Sequence, residues 1–340
     1  MIDETIDSYI ATAPSNIALV KYWGKRDSTL QWAANDSLSM TLNKAQTRTT
    51  ARLNRDHSDH FTFEDPSIDE SKAAKHLNYL RTALGFEETL TITSENTFPS
   101  SCGIASSASG LAALTIAAIA AWTRSASLDE MEIRGFSKDT LAKLARRGSG
   151  SACRSLWGGF VYWQTGESPD TQIVAPLSNE YGKQSPWKLA DIIVVLAKDK
   201  KSISSTEAHQ SAWSSPMFTP RLSGLSERID SIIDAIDKRD INILGRHIEN
   251  EALEMHAVMM TSEPKAEYWC KETPQLLSWI RKQRQIGALK AWFTIDAGPN
   301  IHIICEQTEQ EKVINCLNQS FKGIDIIVDS IGNGPKLEIN

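Results

Sequence analysis

Residues 98–122 constrain the fold more than any other stretch of the chain. They read FPSSCGIASSASGLAALTIAAIAAW, and from position 104 onward no side chain is charged. A helix that is apolar on every side has no face to offer water, so the rest of the chain must be built around it. Ser106, Ser107, Ser109, Gly110 and Thr115 interrupt the run, which falls short of the roughly 20 clean apolar residues of a membrane span. A buried core helix is expected, and no membrane segment.

The start of that helix carries a second constraint. The strand-like ETLTITSENTFP runs into a Gly- and Ser-rich loop, and the helix follows. Unpaired N–H groups at a helix start point outward and favour negative charge. Gly103, Ala105, Ser106 and Ser107 are small enough to let phosphate oxygens reach the backbone, and the hydroxyls can add donors or hold Mg²⁺. The order GxxxxGK[ST] is absent, so this is not a Walker A loop. The same residues also suit a helix start trimmed for tight packing.

At 340 residues the chain is longer than a typical single domain of about 100–200. Two domains sharing one cleft are expected, 1–188 and 189–340. The first hundred residues read mainly as strands, with SLSMTL and AQTRTTARLN as two extended segments and HFTFED as a third. Apolar residues at 73, 74, 77, 80 and 84 keep helical spacing, and Gly85 is a plausible stop. A shorter basic helix is expected at 138–147, and GGFVYWQ, TQIVAPL and LADIIVVLA are further strands. Helical patterns dominate from 205 to 285. The strands LKAWFTID and NIHIICE, a helix near 309–321, and GIDIIVDS close the chain. This order of elements favours α+β.

Hydrophobic content is 41%, ample for sizeable cores, and the net charge of −6 gives no global field that would draw in nucleic acid or an anionic membrane. Any phosphate must therefore be held by local cations and backbone N–H groups. Five scattered cysteines without a CxxC pair suggest reduced thiols in a cytoplasmic protein. The acidic opening MIDETIDSYI lacks the order of a signal peptide.

Local cations occur in clusters. APSNIALVKYWGKRD, residues 13–27, sets Lys21, Lys25 and Arg26 around Tyr22 and Trp23 after a strand-like run. It suits a small, highly charged anion beside an apolar body, with Trp23 the tryptophan placed at the ligand; it also fits a solvated basic turn. ARRGSGSACRSLWGGF ends a helix and turns through Ser149, Gly150 and Ser151 before Arg154. Such a turn can curl round an oxyanion, and an Arg fork can hold a carboxylate or phosphate, or else pair with a surface acid. In KDKKSISSTEAHQ, Lys200 and Lys201 precede Ser205 and Thr206, either of which looks like a helix N-cap. In AWFTIDAGPN, Asp296 ends an apolar strand before a tight turn. It is either a turn-former or, among lysines that keep it ionised, a group that takes or orients a hydroxyl proton. The seven histidines form no HExxH or metal-ligand cluster, and Ser106 and Ser107 lack the GxSxG elbow of a hydrolase.

Taken together, APSNIALVKYWGKRD, GIASSA, GSGSACRS with GGF, the lysine-rich stretch ending in SST, and FTIDAGPN resemble the diphosphomevalonate decarboxylase family of the GHMP kinase superfamily. GIASSA marks only the superfamily, whereas KYWGKRD, GSGSACRS and DAGPN point to the decarboxylase branch. The resemblance implies an N-terminal domain like ribosomal protein S5 domain 2, a ferredoxin-like C-terminal domain, and a homodimer. It implies that ATP phosphorylates the C3 hydroxyl of mevalonate 5-diphosphate, after which phosphate and CO₂ leave to give isopentenyl diphosphate. By motif, Asp296 would activate the hydroxyl, Arg154 would orient the substrate carboxylate, and Lys21 would lie near the reacting phosphate. Tyr22, Trp23, Gly24, Lys25, Lys72, Ser149, Gly150, Ser151, Ala152, Cys153, Ser205 and Thr206 would bind the substrate. Asn16, Gly103, Ala105, Ser106, Ser107 and Lys200 would serve the nucleotide and Mg²⁺. A GHMP-type kinase or decarboxylase acting on mevalonate or its monophosphate is the alternative, and a non-catalytic binder with the same pocket is a third. One departure stands out: the family's Pro-x-Asn-Ser-Ser is AANDS here, with Ala33 for the proline and Asp36 for a serine. An extra carboxylate beside a polyanion site is costly unless it points away or binds metal.

Overall fold

The computed structural model describes residues 7–54, 56–64, 70–98, 106–177, 187–197 and 203–340. Its centre is the helix Ser106–Thr123. Contrary to the expectation above, it is long and apolar enough to cross a membrane by length and composition alone, and the fold buries it for most of its length. One seven-stranded sheet covers it. The order is Lys336–Ile339, Tyr9–Val20, Ser37–Leu53, Leu90–Asn96, His60–Phe63, with Phe160–Gln164 on the start of Ser37–Leu53 and Ile173–Pro176 outside it. Helices Glu70–Leu84 and Lys138–Gly148 pack on the same side, and Gly85, at φ +74°, ends the first of these. The second sheet is antiparallel, in the order Ala291–Thr294, Ile301–Glu306, Leu189–Val195, Asp325–Ser330. Helices Ile241–Thr261 and Thr273–Gln285 lie against it.

The two halves do not merely touch. Ile17, Leu19, Leu38, Met40 and Leu42 of the first sheet share one core with Ile193, Ile304, Trp292, Leu244 and Ile248 of the second half. The last strand, Lys336–Ile339, also crosses back to pair with Tyr9–Val20. Rigid contact of this kind suits a site built from both halves.

Two expectations need correction. SLSMTL and AQTRTTARLN are one strand, Ser37–Leu53. At the join, the N–H groups of Asn43, Lys44 and Ala45 all donate to the buried Asp329 carboxylate, at 2.9, 2.9 and 2.8 Å. That clasp satisfies the backbone where strand alternation fails, so the chain bends without ending the strand. The N-cap of helix Ser205–Ser211 is Ser204, not Ser205 or Thr206, in a reciprocal capping box with Glu207. A short helix, Leu128–Ile133, was also missed between the two larger ones.

Candidate active site

Strand Tyr9–Val20 ends at the seam between the halves, and Lys21 is the next residue. Its side chain turns inward, 1% exposed, where Nζ donates to the Ala18 carbonyl at 2.7 Å and to Asp296 Oδ1 at 2.5 Å. Asp296 arrives from the other half, just past strand Ala291–Thr294. Both readings of this residue hold at once. Its carbonyl closes the turn by accepting the Gly298 N–H at 2.7 Å, which leaves the carboxylate to meet Lys21. His256 adds a donor to the same carbonyl, 3.1 Å from Nε2. The acid is 24% accessible and its partner 2%, so the pair opens to solvent on the carboxylate side only.

The electrostatics follow from burial and neighbours. Burial pushes the Asp296 carboxyl up, but the Lys21 ammonium, His302 and Arg154 outweigh it and hold the group below the usual carboxylate range. Lys21 is lowered by burial, against the pull of Asp296 and Glu251. His256 drops to about 3, through burial and the Lys21 charge, so it is neutral.

Arg154 belongs to the same cluster. It is 3% exposed on the 3₁₀ turn Gly150–Leu156, and its charge bears on both Lys21 and Asp296. Nε and Nη2 donate to Asn16 Oδ1 at 3.2 Å each, and Nη1 to Ser37 Oγ at 2.6 Å. Asn16 in turn donates to Ser155 Oγ at 2.9 Å. The structure thus sets Asn16 beside Arg154, not among the residues lining the cavity described below.

The KYWGK turn is held by aromatic packing. Tyr22 sits between Trp163 and His209, with ring centroids 4.8 and 4.4 Å away, and its buried hydroxyl has no partner among the described residues. Gly150 allows this, since a Cβ there would lie 2.5 Å from the Tyr22 ring. Gly24 has φ +78° and a Cβ there would meet Phe218 at 2.3 Å, so only glycine fits. The Trp23 ring is 1% exposed, stacked on His209 and packed with Ala208, Phe218 and Met255. The ring is buried in the core, on the same turn that carries Lys21 and Lys25. His209 accepts the Gly24 N–H at Nδ1, 3.1 Å. Burial first, then Lys25, Arg221 and Arg154, keep its pKa well below the usual value. Helix Ser205–Ser211 is therefore docked on the turn, and the exposed Ser205 lies one turn before His209 on the same face.

Beside this polar cluster lies a cavity of about 260 Å³. Ser106, Ser107, Thr47, Ser94 and Lys72 line it together with Leu111, Leu114 and Ile92. Hydroxyls link the two regions: Ser107 Oγ is 3.4 Å from Ser149 Oγ, which is 3.3 Å from Ser151 Oγ. Lys25 is brought down to about 8 by burial and by the Lys72 charge, which places those two ammonium groups near each other. Ala152 and Cys153 are wholly buried, with the Cys153 thiol donating to the Gly150 carbonyl at 3.0 Å. Gly103, Ala105 and Lys200 lie outside the described residues. Asp36 points away from the cluster: it accepts from Tyr162 Oη, Thr165 N and Thr165 Oγ1, each at 2.8 Å.

Sequence reasoning missed His209, Arg221 and Glu251. The last of these carried a signal. Glu251 falls within the apolar stripe of Leu244, Ile248, Met255 and Val258, where a carboxylate has no business unless it is paired.

Two intimately joined α+β halves, with a lysine–carboxylate pair and an arginine at their seam and a hydroxyl-lined cavity alongside, define a small-molecule enzyme of the GHMP kinase fold. The comparisons make the family plain. Residues 13–175 match the diphosphomevalonate decarboxylase-like N-terminal domain, and 191–338 the mevalonate 5-diphosphate decarboxylase C-terminal domain. The diphosphomevalonate decarboxylase of Ganoderma lucidum is 33% identical over 95% of this chain and 84% of its own length. The crystal structure of mevalonate diphosphate decarboxylase from Staphylococcus aureus superposes with a TM-score of 0.86, 32% identity and full coverage of both chains (100% each). The structure described as MDDEF in complex with MVAPP, AMPPCP and magnesium gives 0.86, with 31% identity over 98% of this chain and 99% of that one. The chain belongs to the diphosphomevalonate decarboxylase family.

Proposed function

We propose that this chain catalyses the ATP-dependent decarboxylation of mevalonate 5-diphosphate to isopentenyl diphosphate, with release of ADP, phosphate and CO₂. The observation that carries the reading is the Lys21–Asp296 pair at 2.5 Å, within reach of the Arg154 charge, at the seam of the two halves. An ionised carboxylate so placed can accept the C3 hydroxyl proton as phosphoryl transfer proceeds. Lys21 stabilises the charge that gathers between them, and its fixed position costs no reorganisation. Arg154, backed by Asn16 and Ser37, turns its guanidinium to the substrate carboxylate and holds it until CO₂ departs. Lys25, the free Tyr22 hydroxyl, Ser149 and Ser151 receive the diphosphate, with Ser205 or Thr206 closing from the docked helix.

The cavity suits a nucleotide, because apolar faces can take the base while Ser106, Ser107 and Lys72 face the phosphates. Hydroxyl oxygens are hard donors of the kind Mg²⁺ accepts. The described residues hold no cluster of three metal-binding acids, histidines or cysteines, so Mg²⁺ would be held largely through phosphate oxygens. When bound, that ion neutralises phosphate charge. The domain division 1–188 and 189–340, a homodimer and a cytoplasmic location belong to the same proposal.

Incubation with mevalonate 5-diphosphate, ATP and Mg²⁺, followed by assay of CO₂ and ADP, tests the reading. Equal release of both supports it. ADP together with a stable 3-phosphorylated acid would identify a kinase that stops short of decarboxylation.

A further inference from the structure

Lys21 follows the last paired residue of its strand, so its own N–H and C=O have no ladder partner. Three side chains take them up. Glu251, completely buried on helix Ile241–Thr261, accepts the Lys21 N–H at Oε1, 3.0 Å. Arg221, 3% exposed on helix Phe218–Ser223, donates from Nη2 to the Lys21 carbonyl at 2.9 Å and to the same Glu251 oxygen. Asn35 Nδ2 donates to that carbonyl as well, at 2.9 Å. Glu251 Oε2 is held by Arg228 Nη1, whose other nitrogen reaches Glu254 at 2.5 Å. Both ends of the Lys21 peptide are thus gripped by charged groups from the opposite half of the chain.

We infer that Glu251 is a positioning residue: together with Arg221 it fixes the main chain of Lys21 so that the ammonium is presented to Asp296. The inference rests on the reaction proposed above. Buried backbone groups need partners, and the ion pairs could simply dock the two halves. Two features argue for more. The clamp closes on the same residue that meets the catalytic acid, where a displacement of about 1 Å can cost on the order of 10²-fold in rate. In addition, Glu251 is one of two carboxylates facing an ammonium that burial disfavours. Among the described residues, the other charged or titratable groups around Lys21 are Asp296, Arg154, Arg221 and His256.

The test is steady-state kinetics on Glu251→Gln. The amide keeps the shape and loses the charge. We expect kcat to fall by about 10- to 100-fold with KM for ATP near wild type. The alkaline limb of the kcat–pH profile should move to lower pH, because Lys21 has lost a carboxylate that keeps it protonated. Arg221→Lys keeps the positive charge on a side chain one bond shorter, so its ammonium falls short of the two oxygens that Nη2 meets, and kcat should fall while the limb stays in place. A folded Glu251→Gln protein with wild-type kcat and an unmoved limb, even at reduced Tm, overturns the inference and leaves only docking. If that variant does not fold, wild-type kcat in Arg221→Lys overturns it instead. Wild type assayed alongside separates the two levels: no CO₂ from wild type removes the proposed reaction, whereas an active wild type matched by its variants removes only the role of Glu251.

Discussion

The cluster around Lys21 and the cavity behind Ser106 are neighbours, yet they are built on opposite principles. In the first, Lys21 and Arg154 are buried at 1% and 3% exposure, and each of their side-chain nitrogens already makes at least one hydrogen bond before any ligand arrives. In the second, hydroxyls and leucines surround space. A wired cluster suits charge that develops during a reaction, because its dipoles need not reorganise. An open cavity with a polar edge suits holding a large molecule still. The contrast implies a division of labour in which changes to the cluster act on kcat and changes to the cavity act on KM.

The largest effect expected is that of Asp296→Asn. It removes the proposed proton acceptor while retaining the shape, and kcat should drop by about 10²–10⁴-fold, with little change in ATP affinity. Product release measured under saturating substrates checks it. A variant that turns over like wild type would dissolve the contrast, since the cluster would then be no more catalytic than the cavity.

The sequence made parts of this contrast legible and hid others. Asp296, Lys21 and Arg154, which the fold brings together, each sit at a marked break: Asp296 and Lys21 just past apolar strands, Arg154 beside a Gly/Ser turn. The core helix was legible because its apolar run leaves no other fate. What could not be read was partnership across long separations. Glu251 meets Lys21 across 230 positions, and nothing local in either segment announces the other. The burial of Trp23 was hidden for a related reason. Its chain neighbours are cationic, but Ala208, Phe218 and Met255, which pack with it, lie 185 or more residues onward.

A smaller effect is expected in the cavity. Gly110 lines it, and a Cβ built there meets nothing within 4 Å. Gly110→Leu should therefore fold at least as well, since glycine costs a helix interior about 0.8–1 kcal/mol. Its side chain would occupy the space proposed for the nucleotide and raise KM for ATP roughly tenfold, about 1.4 kcal/mol, with kcat retained at saturation. Thermal unfolding and ATP titration together check this; a fall in kcat at saturating ATP would mean that the two regions are not separable.

Lys25 lies between the regions and sharpens the comparison through pH. Its folded pKa is lowered to about 8, so in the free enzyme the ammonium is lost as pH rises through that value. A diphosphate prefers the charged form. Binding should thus be strong below pH 8 and weaken above it, with kcat/KM falling up to about tenfold per pH unit and kcat level, because bound phosphate keeps Lys25 protonated. Lys25→Arg should abolish the break in kcat/KM, since guanidinium stays charged. Persistence of the break in that variant would assign it to another group.

The smallest effect belongs to the residue that departs most visibly from the family pattern. Asp36 is the extra carboxylate near an anion site, and its threat to binding depends on where it points. Its three acceptor contacts, all 2.8 Å, go to Tyr162 and Thr165, so its charge is spent on tying the end of strand Phe160–Gln164 to the turn before Ser37. Asp36→Ser should therefore leave kcat and both KM values near wild type. It should lower stability by about 1–3 kcal/mol, the range for losing hydrogen bonds to a charged acceptor in a partly buried place. The same turn carries Asn35, which bonds the Lys21 carbonyl. If loosening it reaches the cluster, the effect should appear in kcat alone. A gain in substrate affinity would be the opposite sign, and it would mean that the carboxylate does face the diphosphate and repels it.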